Sequence, residues 1–321
     1  MKRRLALQDG QALVMTVIFL VVVIGATALT IDFGAWYRQQ RQAQAVADAA
    51  ALAGAQALPT DPATAQVLAQ QYAASNGGGV SAGGISFESQ WEPNDTVVVH
   101  ATRNSPSFFS RIFGSGLVTV HASAAARADV PQSVFGAAPI VVSETHPDVS
   151  GAACGHSTNN PCFNTETTIP LGKMGVPGAF GLLDFNNDNG TAGNSTLASW
   201  IQNGYQGYLP LQPYDSDPGA KFNGTITSAL NARLGDVLLF PVYDGLSGQG
   251  SNAPYNIIGW IGFHLDCYGL ATTSTNCALS NHGNNATLTG YFTSVIWDGL
   301  QSSAGPQNEP DFGVYSVSLV K

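Results

Sequence analysis

Four cysteines, six histidines and 21 acidic residues are what this 321-residue chain offers for chemistry. Cys154, Cys162, Cys267 and Cys277 all lie in its second half. An even count in an exported segment points to disulfides. Sequence neighbours suggest Cys154–Cys162 and Cys267–Cys277, with the other two connectivities open. Each bond would staple a short loop for roughly 2–3 kcal/mol. The competing reading is a zinc site drawn from Cys154, His156, Cys267, Cys277 or His282, but no pair of cysteines stands two residues apart, as such sites usually require. Disulfides are the expectation.

Other patterns carry less. The run from Asp184 to Gly190 alternates oxygen-bearing residues as calcium loops do, yet Asn189 stands where such a loop turns on glycine, and Ser195 where it needs a bidentate glutamate. A solvated Asn/Gly turn fits better. Asp148-Val149-Ser150-Gly151-Ala152 is the string nearest to an Asp-x-Ser-x-Ser metal motif, and it lacks the second serine. For catalysis there is no Gly-x-Ser-x-Gly elbow, no His-Glu-x-x-His and no phosphate loop. Asp244, Asp266 and His264 are the ionisable groups that an envelope enzyme would have to gather into a pocket. No cofactor, metal site or small-molecule substrate is expected.

Composition narrows the class further. Only 10% of residues are charged, against about 25% in an average soluble domain. Residues 1–128 hold eight basic and seven acidic residues; residues 129–321 hold four and fourteen, so the net charge of −9 belongs to the second part. Such a surface has no basic stripe for phosphates, and nucleic acid is not an expected partner. It suits solubility outside a cell.

The elements that carry these groups begin with an apolar run. Ala12 to Ile31 contains no ionisable residue, and Thr16, Thr27 and Thr30 are its polar interruptions. Its 20 residues would form a helix about 30 Å long, the thickness of a bilayer core. Lys2, Arg3 and Arg4 precede it; Asp32, Trp36 and Tyr37 follow. The excess of basic residues in front predicts a cytoplasmic amino terminus and an extracytoplasmic remainder. The run is longer than a usual signal core, which favours an uncleaved anchor.

Beyond it, Trp36 to Ala55 is rich in strong helix formers. Ala43, Val46, Ala47, Ala50, Ala53, Gly54 and Ala57 recur at spacings of three and four, making a face of small side chains that admits another backbone closely. The face could pack on its own domain or serve as an interaction face for partner helices in an assembly. Asp61-Pro62 then opens a helix to about Ser75, stopped by Asn76-Gly77-Gly78-Gly79. Strands are expected at 85–87, 96–102 and 117–128, with a short aromatic helix over Pro106 to Phe113 covering them. In the acidic part, strands are expected at 139–143, 237–243, 255–265, 286–297 and 312–320. Helices are expected at 197–203, closed by Gly204, and at 226–234, closed by Gly235.

These residues resemble a family. Gly10-Gln11-Ala12-Leu13-Val14, the apolar run, Asp32-Phe33-Gly34-Ala35-Trp36-Tyr37 and the block Ala47-Asp48-Ala49-Ala50-Ala51-Leu52-Ala53-Gly54-Ala55 are similar to the amino-terminal signature of TadE/TadG-like Flp/Tad pilus-assembly proteins. Phe108-Phe109-Ser110-Arg111-Ile112-Phe113-Gly114 and Val118 to Ala124 resemble the sheet segment that follows in them. Gly178 to Asp184, Ile201 to Gly207, Phe240 to Asp244 and Ile258 to Phe263 resemble, in order, the distal domain of some TadG-like proteins. The resemblance implies a membrane-anchored, non-enzymatic envelope protein whose partners are other pilus-assembly proteins. One departure concerns processing. Related pseudopilins carry a glutamate shortly after the processing glycine, whereas Gly10 is followed by Gln11, Ala12, Leu13, Val14 and Met15.

The expected architecture is α+β. A cytoplasmic tip and transmembrane anchor (1–35) leads into a helix-plus-small-sheet unit (36–129), and a β-rich extracytoplasmic domain (133–321) follows. The expected role is structural or assembly work through protein–protein contacts; the alternative is a surface adhesin or ligand-binding module on a membrane anchor.

Overall fold

A computed structural model describes residues 9–107, 109, 111, 116–156, 160–171, 181–187, 192–217, 224–247, 253–269, 286–300 and 310–320. Its first element is one uninterrupted helix, α1 (Asp9–Ala55). No proline stands between residues 9 and 55, and the Val/Ile content of the apolar stretch does not break it. At 47 residues it is about 70 Å long, so the anchor and the alanine-rich segment are one rod rather than two elements meeting near residue 35.

The chain divides into two compact units, residues 1–128 with 317–321, and residues 129–316. In the first, the carboxyl-terminal half of α1 packs on α2 (Pro62–Ser75) and on a three-stranded antiparallel meander. Asp61 caps α2 as expected: its carboxylate accepts from the Thr64 N–H at 2.9 Å and the Thr64 hydroxyl at 2.6 Å. Both bonds hold its carboxyl below the usual carboxylate range, the hydroxyl more than the amide. The meander comprises β1 (Ile85–Glu88), β2 (Thr96–Pro106) and β3 (Leu117–Asp129), with β2 and β3 in register from Thr96↔Arg127 to Pro106↔Leu117. The last residues of the chain close the unit, where the Val320 N–H donates to the Ala125 carbonyl at 2.8 Å.

The second unit is built from short strands around one long antiparallel pair. Its elements are β4 (Ser133–Phe135), β5 (Val142–Ser143), β6 (Glu166–Leu171), β7 (Leu183–Asp184), α3 (Asn194–Asn203), β8 (Tyr208–Pro210) and β9 (Pro213–Ser216). After them come α4 (Gly224–Asn231), β10 (Val237–Leu246), β11 (Tyr255–Gly269), β12 (Ala286–Thr293), β13 (Val295–Ile296), β14 (Gly299–Leu300) and β15 (Val314–Leu319). The main sheet runs β5-β10-β11-β12-β6, with β9 added on β11 and β7 on β9. The β5–β10 edge is parallel and the other pairs of the main sheet are antiparallel. Its core is aromatic: Phe240 stacks on Phe263 at 5.3 Å between centroids, and Phe292 meets Phe263 edge-on at 5.3 Å.

The architecture is the α+β arrangement expected, with differences of detail. The strand expected at 139–143 forms only at Val142–Ser143, because Ile140 bridges Leu182 instead of continuing the ladder. The 286–297 segment is split into β12 and β13 by Ser294. The terminal strand does not end in the acidic domain, since residues 317–321 belong to the first unit. Most of the short helix expected over Pro106 to Phe113 lies outside the described residues.

Candidate functional site

The amino-terminal half of α1 is bare. Between Ala12 and Gly34 only Ala28 and Asp32 are buried. The three hydroxyls of the apolar run are satisfied inside the helix. The hydroxyls of Thr16, Thr27 and Thr30 donate to the carbonyls of Ala12, Val23 and Ala26 at 2.8–2.9 Å. A long apolar helix with exposed Leu13, Phe19, Val21 and Leu29 fits a single-pass membrane anchor.

Buried positions then continue along one stripe of α1. They begin at Ala28 and Asp32 and go on through Ala43, Val46, Ala47, Ala50 and Ala53. The small-residue face is therefore occupied by the chain itself. Ala65, Ala69 and Ala73 of α2 and the inner residues Val97, Val99 and Ala101 of β2 are its counterparts. A Cβ built on Gly54 would stand 3.1 Å from the Ala65 carbonyl and 3.2 Å from the Ala69 Cβ, so the helices touch backbone to side chain there. Ala57, at the end of the stripe, is half-buried. Alanine at these spacings lets α2 and the sheet approach α1, and in this chain that approach fills the face.

Polar side chains fasten the helix to the meander along the same line. Gln44 donates to the Ser123 carbonyl at 3.1 Å and Gln40 to the His121 carbonyl at 2.7 Å. Trp36 Nε1 donates to the Ser107 hydroxyl at 3.2 Å. Lowest of all, the Asp32 carboxylate, 2% exposed, accepts the Phe109 N–H at 3.1 and 3.4 Å. Its position at the end of the apolar run is plain in the sequence; that it holds a backbone amide 77 residues away is not.

The second unit holds the groups singled out for chemistry, and the structure separates them. Asp244 accepts from Asn256 Nδ2 at 2.8 Å near one end of β10, whereas His264 pairs in register with Val237 at the other end. Seven residue steps of strand separate Val237 from Asp244, roughly 20 Å. His264 Nδ1 lies 3.0 Å from Asp266 Oδ1, and its ring stacks on Tyr291 at 4.6 Å. Asp244 is not part of that pair.

Cys154 and Cys162 are disulfide-bonded across a separation of eight residues. Cys267 is disulfide-bonded as well, while Cys277 and His282 lie outside the described residues. With His156 Nδ1 3.2 Å from Cys154 Sγ, the trio Cys154, His156 and Cys162 has ligand-like spacing. Its two sulfurs are spent on each other, and a metal needs thiolates. The calcium-like run opens with an Asx turn. Asp184 Oδ1 accepts the Asn186 N–H at 3.0 Å, and Asn187, at φ +54°, accepts the Asp215 N–H and donates to the Pro213 carbonyl. Asp188 to Gly190 lie outside the described residues. Asp148 is likewise engaged, accepting the Thr167 hydroxyl at 2.6 Å. Between α3 and α4 an open groove of about 540 Å³ is lined by small polar residues such as Ser195, Ser199, Gln202 and Ser228, none of them titratable.

Fold and site thus define a chain with a long apolar helix built into a small α+β unit, followed by a β-rich unit. Residues 10–57, the bare helix together with its packed stripe, match the Tad family model, described as Flp pilus-assembly TadE/G-like. No curated protein and no solved structure matches the chain.

Proposed function

We propose that this protein is a structural or assembly component of a Flp/Tad-type pilus system, held by one membrane span and working through protein–protein contacts rather than catalysis. The observation that carries the reading is the coincidence of the family match, 10–57, with one continuous helix that is bare at its front and packed at its back. The basic residues before the apolar run orient it with the amino terminus in the cytoplasm and the chain beyond the run outside. Acidic composition and disulfide bonding in the second unit agree with an oxidising, extracytoplasmic setting.

The separation of Asp244 from His264 and Asp266 supports the non-enzymatic part, as does the absence of titratable groups from the groove between α3 and α4. With the small-residue stripe filled from within, the surfaces left for partners on α1 are its exposed apolar sides between Leu13 and Tyr37. A clean deletion, examined by electron microscopy for surface filaments, is the test. Loss or alteration of the filaments, restored by the full-length gene, is expected. Unchanged filaments would sink the assembly role.

A further inference from the structure

We propose that His100 and His121 form a surface site for one divalent transition-metal ion. The first unit contains two histidines, and the fold brings them together from 21 residues apart in sequence. Register sets the geometry. His100 stands opposite Ser123 and Thr102 opposite His121 on the antiparallel pair β2–β3, so both rings rise from the same face. The carbonyls of His121 and Ser123 accept the side chains of Gln40 and Gln44, which turns them away from β2. These two pairs are therefore the non-hydrogen-bonded ones, with Cα atoms about 4.5 Å apart and side chains at their closest. His100 and His121 are diagonal neighbours across them, with Cβ atoms about 7 Å apart. Two imidazoles at that spacing can share one ion at about 2 Å from each nitrogen.

The surroundings leave both rings available. Both residues are exposed, and His121 Nδ1 lies 3.4 Å from the Thr102 hydroxyl, so Nε2 is the nitrogen left for a ligand. The ring of His100 makes no hydrogen bond among the described residues. The next pairs on this face, Val98↔Ala125 and Asn104↔Thr119, are uncharged, so no cation competes for the spot. A glycine-rich stretch keeps the space beside His100 open. A Cβ on Gly84 would come within 2.9 Å of the His100 carbonyl, and one on Gly79 within 2.6 Å of the Thr102 carbonyl. Bare backbone therefore lies where side chains would crowd in. A hollow of about 390 Å³ remains, lined by His100, Thr102, Ser81, Val80 and glycines, none of them acidic. The chemistry selects the ion. Neutral imidazole nitrogens suit Zn²⁺, Cu²⁺ or Ni²⁺, whereas Ca²⁺ and Mg²⁺ need oxygen ligands, usually with carboxylates among them. Two protein ligands leave open positions for water, so the ion is exchangeable rather than caged. Once bound, it ties β2 to β3 and stabilises the first unit by mass action.

The test uses Cu²⁺ and Zn²⁺ with the full chain, free of any histidine tag, in detergent micelles. One equivalent of Cu²⁺ should give an electron paramagnetic resonance spectrum with two coordinated nitrogens. Zn²⁺ should raise the melting temperature of the first unit by several degrees. His100→Ala and His121→Ala should each weaken binding by about 10-fold or more, since losing a ligand costs at least what losing its support does. His264→Ala, in the second unit, should leave binding unchanged. Adding Ser123→His to the His121→Ala chain should restore it, because residue 123 faces His100 directly. That rescue separates a paired site from the general affinity of surface histidines. Unchanged binding in either single variant, or loss in the His264 variant alone, would overturn the site. Coordination through one nitrogen in the wild type would do the same, as would a failed rescue in a chain with native circular dichroism.

Discussion

The two units solve the same problem with opposite materials. In the first, the core is alanine: Ala43, Ala47, Ala50, Ala65, Ala69, Ala124 and Ala126 are essentially inaccessible, and elements sit as close as backbones allow. In the second, the largest fully buried side chains are aromatic, among them Trp260, Tyr214, Tyr255, Phe240, Phe263 and Phe292. Small side chains give little apolar area each, so the first unit gains through proximity and through hydrogen bonds such as those of Gln40 and Gln44. The second gains through area, with each aromatic residue burying about 150–250 Å². A core of the first kind is intolerant of enlargement, and one of the second kind of truncation.

The sharpest way to break this contrast is to delete a large residue from the second unit. Phe263→Ala removes a ring stacked on Phe240 and edge-on to Phe292, and should cost about 4 kcal/mol through lost transfer energy and a cavity. Denaturant unfolding followed by amide exchange should place that loss in residues 129–316; a loss spread equally into α1 would merge the two units energetically.

Next in size is Asp95→Ala, which tests the polar fastening of the first unit. This carboxylate, 2% exposed, accepts the N–H groups of Gln90, Trp91 and Glu92 at 2.7–3.0 Å and the Thr96 hydroxyl at 2.7 Å. Burial pushes its pKa up, and the donors from Gln90, Glu92, Trp91 and Thr96 together outweigh that and hold it below the usual range. Leaving these donors unpaired should cost about 3 kcal/mol. Because the folded pKa is the lower one, the stabilisation is fully present above the unfolded value near 4 and fades as pH falls through the folded value. An acid unfolding profile of the first unit unchanged by the mutation would refute this.

Enlargement comes third. Gly54→Leu must push Ala65 and Ala69 away, at about 2 kcal/mol, whereas Gly54→Ala asks only a few tenths of an ångström of them. Thermal melts of the pair should therefore differ by several degrees, with the leucine variant the lower. Equal melting temperatures would mean α1 and α2 are not in contact there.

Much of the first unit could be read before its structure was known, and particular residues show why. Asp61-Pro62 is a local cap, and the glycines after Asn76 are a local stop; both depend only on neighbours in sequence. Gly204 and Gly235, at φ +74° and +83°, end α3 and the turn after α4 for the same reason. The alanine stripe was legible as a face, but what covers it was not. A spacing of three and four residues states which side chains point together and nothing about which backbone comes to meet them. Asp32 and Asp95 show the same limit more sharply. A carboxylate just past an apolar run or in a loop reads as solvated, and only the fold brings the amides of Phe109, or of Gln90 to Glu92, to its oxygens. Register parts Asp244 from His264 and Asp266: Val237↔His264 sets it a strand length away.

The smallest effect tests the aromatic unit at its polar edge. Tyr214, 1% exposed, sits edge-on to Phe185 at 5.7 Å and donates its hydroxyl to the Pro210 carbonyl at 2.9 Å. Tyr214→Phe keeps the ring and leaves one carbonyl without its donor, so at neutral pH the cost should be about 1 kcal/mol, far below that of removing a ring. Burial pushes the hydroxyl up to about 12, because a phenolate there would lose its water. The folded value therefore lies above the unfolded value near 10, and the neutral hydroxyl's contribution is complete below pH 10 and fades between about 10 and 12. Difference absorbance of phenolate in wild type and Tyr214→Phe should show one tyrosine that titrates late and cooperatively with unfolding of residues 129–316. If the difference instead titrates near 10 with the fold intact, water reaches Tyr214, and the contrast between a close-packed alanine core and a dry aromatic one fails on the aromatic side.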